Sequence, residues 1–185
     1  MKTKAELRRR AYLYPSPVLI IGTVFQGRPN WSTVAYHGIL DANTLLLTIE
    51  SSHLTTQAIR TNGCFSVNIP SSDMAARADY VGTRGGATCD KSTIFTATMV
   101  DSLTPIADEC ALSYTCHTEK LYEKNGKTYI VATVLEIFAE ESLQQGAMLD
   151  IGTLNPLLFD WTGYYKLGDY VGRPFSKPDS PDDSI

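Results

Sequence analysis

The sequence predicts a mainly β protein, an antiparallel barrel with a few short helices between its strands. Roughly seven β-rich segments alternate with turns that contain Gly, Pro, Asn or Asp. Helical patterns are too scarce for the alternating βαβ order of a parallel sheet, and no Gly-x-Gly-x-x-Gly follows a strand. A closed antiparallel barrel fits this pattern best, because closure pairs the edge strands.

Length and composition indicate one domain and exclude several kinds of partner. In a chain of 185 residues with 19% charged residues, we expect residues 1–173 to form the domain and the Pro-, Ser- and Asp-rich residues 174–185 to be disordered. A net charge of -4 argues against nucleic acid. Four cysteines without CxxC spacing and only three histidines predict no metal site. The apolar run at 18–21 is too short to span a membrane, so a cytoplasmic protein is expected.

The first half of the chain predicts a short charged helix followed by alternating strands and turns. The helix covers residues 2–11. The strands, rich in Val, Ile, Leu and Thr, cover residues 18–25, 31–39, 44–50 and 64–69. Two further helices are expected over residues 55–61, which Asn62-Gly63 terminates, and 74–80, which follows the capping residues Ser71-Ser72-Asp73.

The second half predicts a Gly-rich loop and a long hairpin. Residues 83–92 should be irregular, and residues 93–106 should hold a short strand or two. Two long strands, 111–122 and 128–139, flank Asn125-Gly126, which accepts the positive φ angles of a tight hairpin. A linker with one helical turn (140–151) and a short strand (155–159) complete the domain.

The loop at residues 51–56, Ser-Ser-His-Leu-Thr-Thr, directly precedes a predicted helix. A phosphate binds well at a helix N-terminus, where backbone N–H groups, hydroxyl donors and the positive end of the helix dipole converge. His53 adds a donor, and a positive charge when it is protonated. The alternative interpretation is ordinary helix capping, which needs only one of these hydroxyls.

Three other segments allow both a functional and a purely structural interpretation. The strand at 31–37 can offer backbone groups and aromatic walls to a flat ring such as a flavin, or it is a plain core strand. In the loop at 84–91, Arg84 or Lys91 can attract a phosphate, or Asp90 and Lys91 pair with each other. The aromatic segment at 155–172 covers a ring or packs on the barrel; its candidate ring-covering residues are Trp161, Tyr164, Tyr165 and Tyr170.

Taken together, these segments resemble the flavin reductase-like family. The resemblance rests on Pro29-Asn30 with the strand that follows, and on the pattern of the segment 51–70. It rests also on the ending at 155–172. Within 51–70 the positions in register are Thr56, Ile59, Gly63, Phe65, Val67 and Asn68. No single motif is diagnostic, but their order and spacing cover nearly the whole domain.

The resemblance implies an FMN-binding split barrel, a six-stranded antiparallel Greek-key barrel that forms a homodimer with FMN near the interface. The implied phosphate ligands are Ser51, Ser52, His53 and Thr56. The residues implied to line the isoalloxazine are Thr33, Val34, Ala35 and Tyr36. Asn68 would lie near the ring or the ribityl chain, and Lys91 corresponds to the family's Asp-Lys pair.

The activity that the resemblance implies is that of an FMN-dependent oxidoreductase. Electrons would pass from NADH or NADPH through FMN to a free flavin, a partner protein or a small acceptor. Because the flavin carries the chemistry, no catalytic side chain is assigned. Two alternatives are a flavoredoxin-type electron carrier without its own nicotinamide site, and a barrel that has lost flavin and serves as a binding or structural protein.

Overall fold

A computed structural model describes residues 4–7, 9, 11–146, 148–172 and 174. Its strands are β1 (Ser16–Pro17), β2 (Leu19–Phe25), β3 (Arg28–Val34), β4 (His37–Asp41), β5 (Thr44–Glu50), β6 (Cys64–Ile69), β7 (Ala97–Met99), β8 (Pro105–Ala107), β9 (Leu112–Lys124), β10 (Lys127–Ala139), β11 (Gln144–Gln145), β12 (Met148–Leu149), β13 (Leu158–Asp160) and β14 (Gly163–Tyr165). The helices are α1 (Leu54–Asn62), α2 (Ala75–Thr83) and α3 (Ile151–Leu154), with 3₁₀ turns at Ser72–Met74 and Glu141–Leu143. Within the described ranges, none of the helices has the length and apolar character needed to cross a bilayer.

One chain segment closes the main sheet into a barrel. The strand order is β3-β2-β6-β9-β10-β5-β4, and every neighbouring pair is antiparallel. β3 and β4 are two parts of one extended segment, interrupted at Ala35 and Tyr36. Its first part pairs with β2 and its second part with β5, so both ends of the sheet belong to the same segment. Counted as continuous segments, the barrel has six antiparallel strands, which confirms the predicted fold class.

Two apolar clusters lie on opposite faces of the strands. Because side chains alternate along a strand, Ile21 joins the barrel interior with Phe65 and Ile130, whereas Ile20 joins an outer cluster with Trp31. Ile59 of α1 reaches into the interior cluster, so α1 covers one end of the barrel. Met74, Ala78, Val81 and Phe95 complete the outer cluster, which fixes α2 and the loop after it against β3.

Residues with positive φ angles form the tight turns between strands and end the helix α1. Asn125 and Gly126 have φ angles of 53° and 74° and join β9 to β10, as predicted. Gln26 and Gly27, with φ angles of 50° and 75°, form a two-residue turn of the same kind between β2 and β3. The strand β3 therefore begins at Arg28, before the predicted start of this strand at residue 31. Gly63 ends α1 with a φ of 70°, and its N–H donates to the Ile59 carbonyl (2.9 Å).

Two local predictions differ from the structure, and a third falls mostly outside the described residues. The predicted helix at 2–11 is wrong for the described residues 4–7, 9 and 11, which are exposed and not helical; a segment this short, with no apolar face buried, is too weak a helix alone. The linker at 140–151 contains the expected helical turn, the 3₁₀ turn at Glu141–Leu143, and in addition the short antiparallel pair of β11 and β12. Of the tail predicted to be disordered, residues 175–185 lie outside the described part of the chain.

Candidate functional site

The hydroxyl loop and the Gly-rich loop face each other across a cleft of about 140 Å³ at the end of the barrel, here called the inner cleft. α1 begins on one side of it, and the segment that follows α2 forms the other side. The lining residues are Ser32, Ser52, His53, Leu54, Thr55, Gly82, Thr83, Arg84, Gly85, Gly86, Ala87 and Lys91. Two segments that the sequence suggested separately as phosphate-binding thus converge on one cleft.

Lys91 is a buried cation at the inner cleft, with only 5% of its surface exposed. Its Nζ donates to the carbonyl oxygens of Val81 (2.9 Å) and Arg84 (3.1 Å), which end α2. Burial lowers the pKa of this ammonium group. An ammonium group has three N–H donors, so one remains for a ligand.

Asp90 does not pair with Lys91, which removes the structural interpretation of this dipeptide. Its carboxylate accepts from the Arg28 guanidinium (3.2 Å), and both side chains are largely exposed. Within the described ranges, none of the ion pairs involves Lys91. The charge of Lys91 is therefore balanced only by backbone dipoles, which favours an anion in the cleft.

The first two threonines of α1, Thr55 and Thr56, have different roles. Thr55 lines the inner cleft, and its Oγ1 accepts a hydrogen bond from Asn30 Nδ2 (3.0 Å). Its own hydroxyl hydrogen stays available to a ligand. Thr56, an expected phosphate ligand, is fully buried and donates to the Glu50 carbonyl (2.7 Å). Because successive helix residues point about 100° apart, only one of the pair can face the cleft, and the structure places Thr55 there.

The two serines of the loop also separate. Ser52 is exposed and lines the inner cleft. Ser51 instead shares a hydrogen bond with the Thr128 hydroxyl (2.9 Å), and its N–H donates to the Gly126 carbonyl (2.9 Å). Its side chain therefore belongs to the contact with the β9–β10 hairpin and does not face the cleft, contrary to expectation.

His53 is the N-cap residue of α1, and its side chain makes no capping hydrogen bond. Partial burial lowers its pKa below the ordinary value, the positive charges of Lys91 and Lys127 lower it further, and Glu50 opposes them. At neutral pH the imidazole is therefore mostly uncharged. It offers a neutral donor at the cleft until an anion favours its protonation.

The four residues expected to line the isoalloxazine, Thr33 to Tyr36, are not part of the lining of the inner cleft. Thr33 donates to the Ala78 carbonyl of α2 (2.5 Å), and Val34 is buried in the barrel interior. Ala35 accepts a hydrogen bond from Ser16 through its carbonyl (3.3 Å), and Tyr36 is 46% exposed. The side chains of Thr33 and Val34 are thus engaged in packing, whereas Ala35 and Tyr36 lie at the break between β3 and β4.

Tyr36 joins an aromatic group made of Tyr14, Tyr36, Phe159, Trp161 and Tyr164. Its ring centroid lies 6.3 Å from that of Trp161, which is 5.9 Å from that of Phe159. Trp161 Nε1 donates to the Tyr14 hydroxyl (2.9 Å). The Tyr164 hydroxyl donates to Asp79 of α2 (3.0 Å), which anchors the C-terminal segment beside the break.

The aromatic group and the inner cleft are linked by a short stretch of β5. The Thr48 N–H donates to the Tyr36 carbonyl (2.9 Å), which fixes Tyr36 level with Thr48. Two residues further along β5, about 7 Å, the Glu50 carbonyl accepts the His53 N–H (3.1 Å). A ligand with a charged end and a flat end can therefore reach both the inner cleft and the aromatic group.

Asn68 is a structural residue, and the expectation that it contacts a ring is not supported. Its amide donates to the Ile20 carbonyl (3.0 Å) and the Ser66 hydroxyl (2.9 Å). Its oxygen accepts from the Ala107 N–H (2.9 Å) and the Ser113 hydroxyl (2.8 Å). All four bonding positions of the amide are used, and the residue is fully buried.

A second and larger space, the outer cleft, adjoins the first and has a volume of about 770 Å³. It lies between the β2–β3 turn and the Gly-rich loop. Its lining residues are Phe25, Gln26, Arg28, Pro29, Asn30, Leu54, Gly86, Ala87, Thr88, Cys89, Asp90 and Lys91. Lys91 thus lines both clefts.

Comparison with known proteins gives a family and several similar structures. The family model for the flavin reductase like domain matches residues 9–168. No curated protein matches the sequence significantly. The flavoredoxin from Methanosarcina acetivorans has a TM-score of 0.89 and 28% identity, over 95% of this chain and 97% of that chain. The flavoredoxin of Desulfovibrio vulgaris (Miyazaki F) has a TM-score of 0.85 and 24% identity, over 95% and 99% of the two chains. Nitrilotriacetate monooxygenase component B from Bacillus cereus has a TM-score of 0.78 and 16% identity, over 92% and 100%; for these last two the likeness concerns the fold.

We expect inorganic phosphate to raise the pKa of His53, because a nearby anion favours the protonated imidazole. The measurement is an NMR pH titration of the histidine rings, with and without saturating phosphate in an otherwise phosphate-free buffer. His117, exposed on β9, is the internal control and should not respond. The Lys91→Met variant should show a smaller shift. A His53 titration that phosphate leaves unchanged would contradict an anion site in the inner cleft.

Proposed function

This chain belongs to the flavin reductase-like family, and we propose that it is an FMN-binding oxidoreductase. The observation that carries the proposal is the convergence, on one cleft, of the N-terminus of α1, the Ser52 and Thr55 side chains and the buried Lys91 ammonium. This cleft would hold the phosphate of FMN. The family resemblance and the donors of the cleft support the same ligand independently.

The residues of the inner cleft fit a phosphate group. The first turn of α1 has no acidic residue, so its N–H groups and helix dipole are not neutralised locally. Ser52 and Thr55 add hydroxyl donors, and Lys91 and Arg84 add two positive charges. A phosphate monoester carries nearly two negative charges at neutral pH, so donors and charge both match.

The stretch between Ser32 and Tyr36 would hold the rest of the cofactor. The ribityl chain of FMN would follow the start of α1. The ring of FMN would lie near Ala35 and Tyr36, with Trp161 beside them. Tyr164, anchored to Asp79, keeps the C-terminal aromatic segment in place. The chemistry that FMN supplies when bound is electron transfer. The protein binds and orients the cofactor and shields one side of its ring.

The source of electrons divides the proposal into two candidates. In the first, NADH or NADPH reduces the bound cofactor, and the acceptor is a flavin, a protein or a small molecule. In the second, the chain is an electron carrier without its own nicotinamide site. Similarity to the flavoredoxin from Methanosarcina acetivorans keeps the second candidate open.

We also propose that the protein is a homodimer. An apolar groove of about 570 Å³ lies on the side of the barrel formed by β4 and β10. Ile39, Leu135 and Ile137 line it and are 79%, 62% and 60% exposed. Exposed apolar surface of this extent is typical of an interface, and a second copy would cover it. We propose in addition a cytoplasmic location, with which the four free thiols agree.

The phosphate assignment is tested by a matched pair of serine variants. Ser52→Ala should weaken FMN binding about tenfold, because a hydrogen bond to a charged group contributes roughly 1.5–3 kcal/mol. Ser51→Ala should leave the affinity within about twofold, because this hydroxyl bonds to Thr128. Lys91→Met should weaken binding at least as much as Ser52→Ala. Titration of flavin fluorescence gives the dissociation constants, and equal effects of the two serine variants would refute the assignment.

The electron source is tested by mixing the FMN complex with NADH or NADPH in the absence of oxygen. The flavin absorbance near roughly 450 nm should fall rapidly if the protein is a reductase. If only dithionite removes this absorbance, the electron carrier is the correct candidate. Free FMN at the same concentration serves as the control for direct reduction in solution.

The dimer is tested with a charge in the apolar groove. Ile137→Lys should shift the protein from dimer to monomer, because an unpaired ammonium at a buried interface is costly. Thr98→Lys, on the exposed part of β7, is the matched control and should remain dimeric. Size-exclusion chromatography with light scattering gives the mass. A wild-type protein that stays monomeric at all concentrations would exclude the dimer.

A further inference from the structure

We propose that Asp79 is a positioning residue that holds the hairpin of β13 and β14 against the break between β3 and β4. Asp79 would act only through the Tyr164 hydroxyl, and the hairpin would limit how freely water and dissolved oxygen reach a flavin ring at the break. This inference rests on the proposed function, because that function places the ring there.

The β13–β14 hairpin is attached firmly at its base and less firmly at its tip. It forms a three-stranded sheet with β1 that is separate from the barrel sheet. At the base, Leu157 is buried in the outer cluster, and its N–H donates to the Pro70 carbonyl (2.8 Å). Towards the tip, Trp161 is 53% exposed and Tyr164 is 37% exposed. The tip therefore depends on side-chain contacts to stay against the barrel.

Asp79 supplies one such contact. The Tyr164 hydroxyl donates to its carboxylate (3.0 Å), which joins β14 to α2 across 85 residues of sequence. A hydrogen bond to a charged acceptor is stronger than one between neutral groups. Partial burial and the Asp79 carboxylate raise the pKa of Tyr164 to about 12, so its hydroxyl stays protonated and remains a donor throughout the neutral range.

Helix α2 places this contact beside the other parts of the candidate site. The carbonyl of Ala78, the residue before Asp79, accepts the Thr33 hydroxyl (2.5 Å) near the end of β3. Two further carbonyls at the end of the helix accept the hydrogen bonds of Lys91. The acceptor of Tyr164 is thus fixed relative to both the break and the cation of the inner cleft.

A series of ring contacts leads from Tyr164 to the break. The ring centroid of Tyr164 lies 6.0 Å from that of Phe159, which lies 5.9 Å from that of Trp161. The Trp161 centroid is 6.3 Å from that of Tyr36. Because aromatic rings at these separations are in contact, loss of the hydrogen bond to Asp79 would loosen the side of the site that Trp161 covers.

The first measurement uses the full-length protein without flavin. Tyr164→Phe removes the hydroxyl and keeps the ring, and it should speed backbone hydrogen exchange in residues 158–165 about fivefold, because the tip opens more often. Asp79→Ala should have the same effect, and Asp79→Asn, which keeps an acceptor oxygen, should reverse much of it. Tyr165→Phe is the matched control, because the neighbouring Tyr165 is similarly exposed (45%) and shares its hydrogen bond with Thr162 inside the hairpin (2.6 Å).

The second measurement follows the oxidation of the reduced FMN complex in air-saturated buffer. Dioxygen takes two electrons and two protons from the reduced flavin and becomes hydrogen peroxide, and the return of flavin absorbance gives the rate. Tyr164→Phe and Asp79→Ala should each raise this rate about threefold, and the double variant should be no faster, because both changes remove the same contact. A contact that contributes only stability would lower the Tm and leave the oxidation rate unchanged.

The outcomes separate this inference from the function on which it rests. Equal exchange or equal oxidation rates in Tyr164→Phe and Tyr165→Phe would overturn the role of Asp79 and leave FMN binding intact. Additive effects of Asp79→Ala and Tyr164→Phe would overturn it as well, because the two residues would then act separately. Failure of the wild-type protein to bind FMN would refute the proposed function, and the inference with it.

Discussion

Closure of the barrel by residues 28–41 is the constraint on which the rest of the structure depends. A single extended segment forms both ends of the sheet, pairing with β2 before Ala35 and with β5 after Tyr36. The interruption is required, because one straight strand cannot follow two different neighbours around a barrel. It also places Ser32 at the inner cleft and Tyr36 at the aromatic group. The interruption that closes the barrel therefore also sets the distance between the inner cleft and the aromatic group.

Lys91 connects this framework to the electrostatics of the site. A buried ammonium group is costly unless it is well bonded, and here two carbonyl groups at the end of α2 accept its hydrogen bonds. Those carbonyls carry only partial negative charge, so Lys91 keeps most of its positive field. α2 is in turn fixed by the outer apolar cluster around Trp31. The position of the cation thus follows from packing far from the cleft, and the lowered pKa of Lys91 reflects the cost of holding it there.

The two clefts differ in size and in the character of their lining. The inner cleft is small, rich in donors and closed by the first turn of α1, which suits one phosphate group. The outer cleft is larger and mixes apolar surface with an exposed ion pair. In the proposed function the first fixes the cofactor. The aromatic group beside Tyr36 would cover one side of its ring.

The sequence by itself determined the fold class, the main hairpins and the two loops that line the inner cleft. These features follow from local rules: Asn125-Gly126 dictates a tight turn, and a run of Ser and Thr before a helix marks an N-terminus. Only the tertiary structure decided which members of each loop face the ligand. Thr55 and Thr56 are the same residue type, yet rotation along α1 turns one to the cleft and the other to the Glu50 carbonyl. Ser51, Asn68 and Asp90 likewise take partners 77, 45 and 62 residues away, and no local pattern encodes such long-range contacts.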